Sequence, residues 1–304
     1  MRLIPLFCAC LLAATPAIAQ DRETIGVGRL FTNDYFGDGD DRWRSGSYSI
    51  SIIRGSDTWE GKAPTAFGSL LEYRLRSEII APSDLNGVDA GDRAYVGALT
   101  AGLHTHFSRN AWDLSAGVDL VIVGDQTGLS ELQDGFHNLL GAPRVSNAVD
   151  DNQLSNAVYP TLVAEGARTV SLGETVDVRP FVEAQIGVED FVRVGADVFI
   201  GNVLRGDLWV RENSSGQLYS GVQTDRAGLG FVLGADYTFL EDSAYFPTSF
   251  GTVAEDERLR VRAGLHTRLG DGASYFYGLT YLGEEFEGQA QGQVVGSVKL
   301  NFNF

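Results

Sequence analysis

The sequence predicts an all-β fold, a twelve-stranded antiparallel transmembrane β-barrel with a short α-helix in an outward loop, and three observations carry the prediction. Apolar and polar residues alternate at period two over several segments of about ten residues. Glycine occurs 37 times in 304 residues, aromatics make up 11% and prolines number eight, a composition of many strands and turns. The chain also ends on an amphipathic segment, VVGSVKLNFNF, in which Val294, Gly296, Val298, Leu300, Phe302 and Phe304 share one face.

At the N-terminus, MRLIPLFCACLLAATPAIA joins Arg2, an apolar centre and an A-x-A ending at Ala17 to Ala19, the pattern of a secretory signal peptide. Cleavage is expected after Ala19, leaving Gln20 first and residues 20–304 as a single barrel domain. Cys8 and Cys10 both fall in the removed segment, so the remaining 304 − 19 = 285 residues contain no thiol. That excludes disulfides, thiolate metal sites and a Cys nucleophile. The formal charge of −17 becomes −18 without Arg2, which argues against nucleic acid as a partner and favours divalent cations. After the leader no stretch reaches the ~20 apolar residues of a spanning helix, so crossing a membrane requires a closed barrel.

The strands are expected at about 24–31, 46–54, 66–79, 94–107, 111–123, 159–171, 174–188, 191–201, 226–240, 257–269, 273–282 and 293–304. In VDVRPFVEAQIGV, Val178, Pro180, Val182, Ala184, Ile186 and Val188 oppose Asp177, Arg179, Glu183 and Gln185. In ERLRVRAGLHTRL, Leu259, Val261, Ala263 and Leu265 oppose Arg258, Arg260, Arg262 and His266. A face with three arginines is no dry sandwich core unless each is paired, whereas a polar lumen accepts it. An even strand count also suits a single-chain bacterial barrel, and a last strand ending in Phe resembles the terminal signature by which such barrels are recognised for assembly. With Gln20 periplasmic, the outward loops are 32–45, 80–93, 124–158, 189–190, 241–256 and 283–292; residues 202–225 are long for a periplasmic turn.

In the longest outward loop the strand period breaks. Within GDQTGLSELQDGFHNLLGAP, Leu132, Phe136, Leu139 and Leu140 recur at helical spacing, Ser130 is placed to cap the start, and Gly141 with Pro143 ends the run. The expected picture is an amphipathic helix lying against the barrel wall, with Gln133 and His137, four apart, on the flank of its apolar stripe. Residue type alone leaves His137 as a surface group, a hydrogen-bonding partner or a catalyst. His104, His106 and His266 fall on polar strand faces, where lumen lining explains them. The early loop FTNDYFGDGDDRWRSGS is dense in turn residues, and its DYFGDGDD lacks the Glu and the spacing of an EF-hand.

Three separated segments nevertheless agree. NDYFGDGDDRWRSGS (33–47), GDRAYVGAL (91–99) with GDQTGLSELQDGFHNLLG (124–141), and EEFEGQ (284–289) resemble the signature loops of the outer-membrane lipid A 3′-O-deacylase family. The resemblance runs in order from Thr24 to Phe304. It implies a twelve-stranded barrel in the outer membrane of a Gram-negative bacterium, in contact with outer-membrane lipids and expected as a monomer. It also implies a Ca²⁺-dependent hydrolase that removes the 3′-linked acyloxyacyl chain of lipid A. The family's Asn-Asp pair falls on Asn33 and Asp34, its hydroxyl residue on Ser45, and its helix Gln and His on Gln133 and His137. On that reading His137 is the base, Asp34 with backbone oxygens holds the Ca²⁺, Asn33 donates to the oxyanion, Ser45 bonds water or substrate, and Gln133 fixes the loop. Asp38, Asp40 and Asp41 stay unassigned, as further metal donors or as partners of Arg42 and Arg44.

Two features depart from the family. Ser45 stands where Thr is usual, keeping the hydroxyl, and the loop 80–92 has no Lys for a lipid A phosphate, which leaves Arg93 or another loop Arg as the substitute unless the headgroup differs. Two other readings keep the barrel: a serine-type lipid esterase in which His137 activates Ser45, and a non-enzymatic, porin-like barrel.

Overall fold

A computed structural model gives the fold and describes residues 22–56, 58–89, 91–141, 144–269 and 273–301; the leader with both cysteines, Pro143, Phe302 and Phe304 lie outside the described residues. The first strands are β1 (Glu23–Asn33), β2 (Trp43–Gly55), β3 (Leu70–Ala81), β4 (Val96–Arg109), β5 (Trp112–Val123) and β6 (Ala157–Ala167). A two-residue β7 (Val170–Ser171) precedes β8 (Val176–Ile186) and β9 (Glu189–Ile200). A small hairpin, β10 (Leu208–Arg211) and β11 (Leu218–Val222), leads to β12 (Gly228–Ser243), β13 (Glu257–Arg268), β14 (Ser274–Leu282) and β15 (Gln293–Asn301). Each long strand pairs antiparallel with its neighbours, β1 with β15 and β6 with β8, so that twelve strands close and no long edge is left open.

Strand alternation is set by the two surroundings of the wall. Val182, Ile186, Leu233, Leu259, Val261 and Leu279 point out and are exposed, as apolar groups facing lipid must be, while Asp177, Arg179, Glu183 and Gln185 are buried inward. Every arginine on the inner face of β13 is paired: Arg258 with Glu189 at 3.1 Å, Arg260 with Asp236 at 2.8 Å, Arg262 with Asp197 at 2.5 Å and with Asp236, and Arg268 with Asp207. His104 bonds Asp119 at 2.6 Å and His106 bonds Glu72 at 2.7 Å, while His266 is buried against Phe276, so the three strand histidines line the lumen as expected.

The segment 202–225 is no periplasmic turn. Its β10–β11 hairpin enters the lumen and lies along β1, where Gly26 and Gly28 make room: a Cβ at Gly26 would stand 2.2 Å from the Gly221 carbonyl oxygen. Arg211 of the hairpin bonds Asp197 at 2.9 Å and Glu165 at 2.8 Å, and Glu212 accepts from Ser47 at 3.2 Å. These polar residues are legible as a plug only once the wall is closed around them, because their partners lie on three different strands. Cavities of about 430 and 510 Å³ remain around Trp59 and Lys62, at the end away from the outward loops.

Candidate active site

The site begins where β1 ends. Asn33 continues the outward-facing set of Phe31 and stands opposite Gly46 of β2, whose missing side chain leaves space for the Asn33 amide. That amide accepts from the Tyr35 N–H at 3.0 Å and donates to the Ser45 carbonyl at 2.6 Å, starting a short 3-10 turn, Asp34–Phe36. The turn folds back over the outside of the barrel: Asp38 N–H donates to the Val294 carbonyl at 3.0 Å, and the Tyr277 hydroxyl donates to the Phe36 carbonyl at 2.9 Å. A Cβ at Gly296 would sit 2.3 Å from the Phe36 carbonyl oxygen, so β15 must carry glycine there. The loop therefore lies on the lipid side of the rim, with Tyr35 and Phe36 exposed.

Asp34 is buried and accepts from the backbone N–H groups of Tyr35 at 2.8 Å and Arg42 at 3.1 Å. Burial, and then the charge of Asp41, push its carboxyl up to about 8 against the pull of those N–H groups and of Ser45. The return strand β2 opens on a bulge between Trp43 and Gly46, with Trp43 in the left-handed region at φ +50°. The extra residue turns Arg44 into the lumen while Ser45 keeps its hydroxyl outside, donating to Asp41 at 2.9 Å.

Helix α1 (Leu129–Leu140) brings the other half. It starts at Gly128 (φ +64°), not at Ser130, which lies inside its first turn, and it stops at Gly141 (φ +71°), whose N–H bonds the His137 carbonyl. The helix is also turned the other way from the expected packing: Leu132, Phe136 and Leu139 are exposed, Leu139 by 79%, and the polar flank faces the site. At the rim of a membrane barrel the surrounding medium is partly acyl chain, so an outward apolar stripe costs little. His137 Nε2 comes within 3.2 Å of Asp41, and Gln133 reaches the same carboxylate through a long 3.4 Å bond while accepting from the Tyr95 hydroxyl at 2.9 Å.

Asn33, Asp34, Ser45, Gln133 and His137 are thus brought together, and the group that joins them, Asp41, is one that residue type could not separate from its acidic neighbours. Asp38 and Asp40 pair with Arg42 instead. Tyr95, inside the GDRAYVGAL segment, is the other addition; its role needed the helix in place. Arg93 does not replace the absent lysine. Its side chain is 0% exposed, bonds Glu285 at 2.6 Å and stacks on Phe246. Glu285 also binds Arg44 at 2.7 Å, which ties the EEFEGQ segment to the bulge beside Ser45. Among the described residues no group of three or more His, Cys, Asp or Glu converges in metal-binding geometry, so a metal here would draw on Asp34, Asp41 and neutral oxygens.

A membrane-spanning barrel with a plugged lumen and a His–Asp pair on the lipid side of its rim has the form of an outer-membrane lipid hydrolase. The family model for the outer membrane protein LpxR matches residues 6–304, and the chain belongs to that outer-membrane family, the one its loop motifs resemble. Among solved structures, LpxR from Salmonella typhimurium aligns over 92% of this chain and 100% of its own with a TM-score of 0.74 at 18% identity. The β domain of the Bordetella autotransporter BrkA (TM-score 0.44, 12% identity, 92% and 100% covered) and the KdgM porin (0.40, 6%, 92% and 100%) are more distant barrels. No curated protein matches the chain by sequence.

Proposed function

We propose that the chain is an outer-membrane esterase that releases the 3′-linked acyloxyacyl chain of lipid A by His137-assisted attack of water. The observation that supports it most is the meeting of His137 with Asp41, Ser45 and Asp34 on the lipid side of the rim, at the level where a lipid presents its ester bonds beneath a sugar headgroup.

Asp41 stands 3.2 Å from Nε2 of His137, where its charge steadies the imidazolium that forms as the ring takes a proton. His137 takes a proton from water as the water oxygen bonds to the ester carbonyl carbon. The tetrahedral intermediate then collapses, the C–O bond to the sugar breaks, and the imidazolium returns its proton to the departing sugar oxygen. Products are a free 3-acyloxyacyl acid and a sugar hydroxyl. The Asn33 amide has a second N–H to offer the oxyanion, since only one is spent on the Ser45 carbonyl. Gln133, held by Tyr95, fixes α1 against Asp41.

The residues present fit a hard cation. Two carboxylates close enough for one to raise the other, and a buried one pushed up to about 8, are relieved by a positive charge between them, and Ca²⁺ favours such all-oxygen surroundings. Asp34 and Asp41 would hold it, and bound there it supplies polarisation of the ester carbonyl. Ser45 as nucleophile is the weaker reading, because its hydroxyl donates to Asp41 and not to an imidazole. The plugged lumen likewise disfavours a porin-like role.

The test is mass spectrometry of lipid A incubated with refolded protein, with Ca²⁺ or with chelator, beside His137→Ala. Loss of one acyloxyacyl unit that needs both Ca²⁺ and His137 is expected; unchanged lipid A from a folded barrel would refute the proposal.

A further inference from the structure

The chain's acidity is not spread over its surface. The outward segments 34–42, 82–95, 124–156, 187–188, 244–256 and 283–292 hold 17 Asp and Glu against 3 Arg and no Lys, so 3 − 17 = −14 of the total −17 sits on the rim that carries the site.

Two of those three guanidiniums are not placed to receive an anion, and the third is tied to an acid. Arg93 is fully buried and bound to Glu285. Arg42 is spent on Asp38 and Asp40 and lies 4.7 Å over the Trp43 ring. Arg144 is 64% exposed, but its Nη2 is 3.2 Å from Asp134. Recognition of a phosphate calls for charged, preferably bidentate donors, and the site offers carboxylates in their place. Loops gathered on one rim lie within a few Debye lengths, ~8 Å each at physiological salt, so their charges act together on whatever headgroup docks.

We propose that the lipid this chain deacylates carries no phosphate on the acylated sugar, next to the ester that is cleaved, and that the acidic rim selects against the phosphorylated form. The inference rests on the esterase reading above and adds the substrate class to it. A neutral or amino-bearing sugar at that position meets no repulsion, whereas a phosphate brings between one and two negative charges into the field of the acidic rim loops.

The test uses two lipid A samples of identical acylation, one with and one without that phosphate, in the same detergent and at the same Ca²⁺. The phosphate-free form should show at least a tenfold higher kcat/KM, carried by KM, with the ratio shrinking as NaCl rises from ~0.05 to ~0.5 M. Asp89→Lys, a reversal at an exposed position of the loop 82–95, should narrow the ratio by speeding the phosphorylated substrate alone. Equal rates, or preference for the phosphorylated form at any divalent-cation concentration, would overturn the inference. Binding of the same two lipids to His137→Ala separates the questions: if the parent protein cleaves neither lipid the esterase reading fails, and stronger binding of the phosphate-free form to the variant still supports the headgroup preference, whereas equal or reversed binding overturns it.

Discussion

Replacing Asp41 by Asn probes the group on which the site turns. Its carboxylate accepts from Ser45 through Oδ1 at 2.9 Å and lies 3.2 Å from Nε2 of His137 through Oδ2. An Asn that keeps its oxygen toward Ser45 turns its NH₂ toward Nε2 of His137, so a neutral donor replaces the carboxylate that faces the ring. Loss of the charge removes a charge-assisted interaction of about 1.5–3 kcal/mol in the imidazolium-like transition state, roughly 10- to 150-fold in rate. A donor facing the charged ring extends the loss toward ~10⁴, the scale seen when the Asp of a serine-protease triad becomes Asn. The assay is initial-rate release of the acyloxyacyl acid by mass spectrometry at saturating lipid. The expected result is kcat down at least tenfold with KM within about twofold, and partial recovery in Asp41→Glu. A kcat within twofold of the parent would refute the assignment of Asp41 as the residue that orients His137.

Other expectations follow from the same geometry. Asp34 is raised in the folded state above its ordinary 3.8, so the native form binds the extra proton: that contribution to stability is fully present below about pH 4 and is lost as pH rises toward 8. A cation must displace the proton, so Ca²⁺ affinity should climb as pH rises from about 5 to 8 with up to one proton released per ion, an effect that calorimetry in buffers of different ionisation heat reads and that Asp34→Asn should abolish. Glu285 is pushed up by burial, but Arg44, Arg93 and Arg258 outweigh that and hold it well below the usual carboxylate range; Glu285→Gln should cost about 3–5 kcal/mol in urea unfolding and also slow catalysis, because Arg44 adjoins Ser45. A loss under 1 kcal/mol would show that the cluster is not a structural tie. Ser45→Ala should reduce kcat by less than His137→Ala, and no acyl-enzyme should be trapped on Ser45 in the parent protein. Detection of that adduct would replace water attack with a serine mechanism.

The barrel was legible in the sequence because its determinant is local. Period-two alternation tells which residues face lipid whatever the strand order, and an arginine face on β13 already demanded a polar lumen with acidic partners. The resemblance of three loop segments to one family named Asn33, Asp34, Ser45, Gln133 and His137, and the fold collects them. Only the tertiary structure decided which acid does what: Asp41, three residues from Asp38 and next to Asp40, is separated from them by the bulge at Trp43–Gly46 and by a helix that arrives from 92 residues further along the chain. The same holds for Arg93, buried where an exposed cation was expected, for the outward apolar side of α1, and for the β10–β11 plug. Each depends on barrel closure, which sets the distances between residues remote in sequence and decides whether the medium beside them is lipid, water or protein.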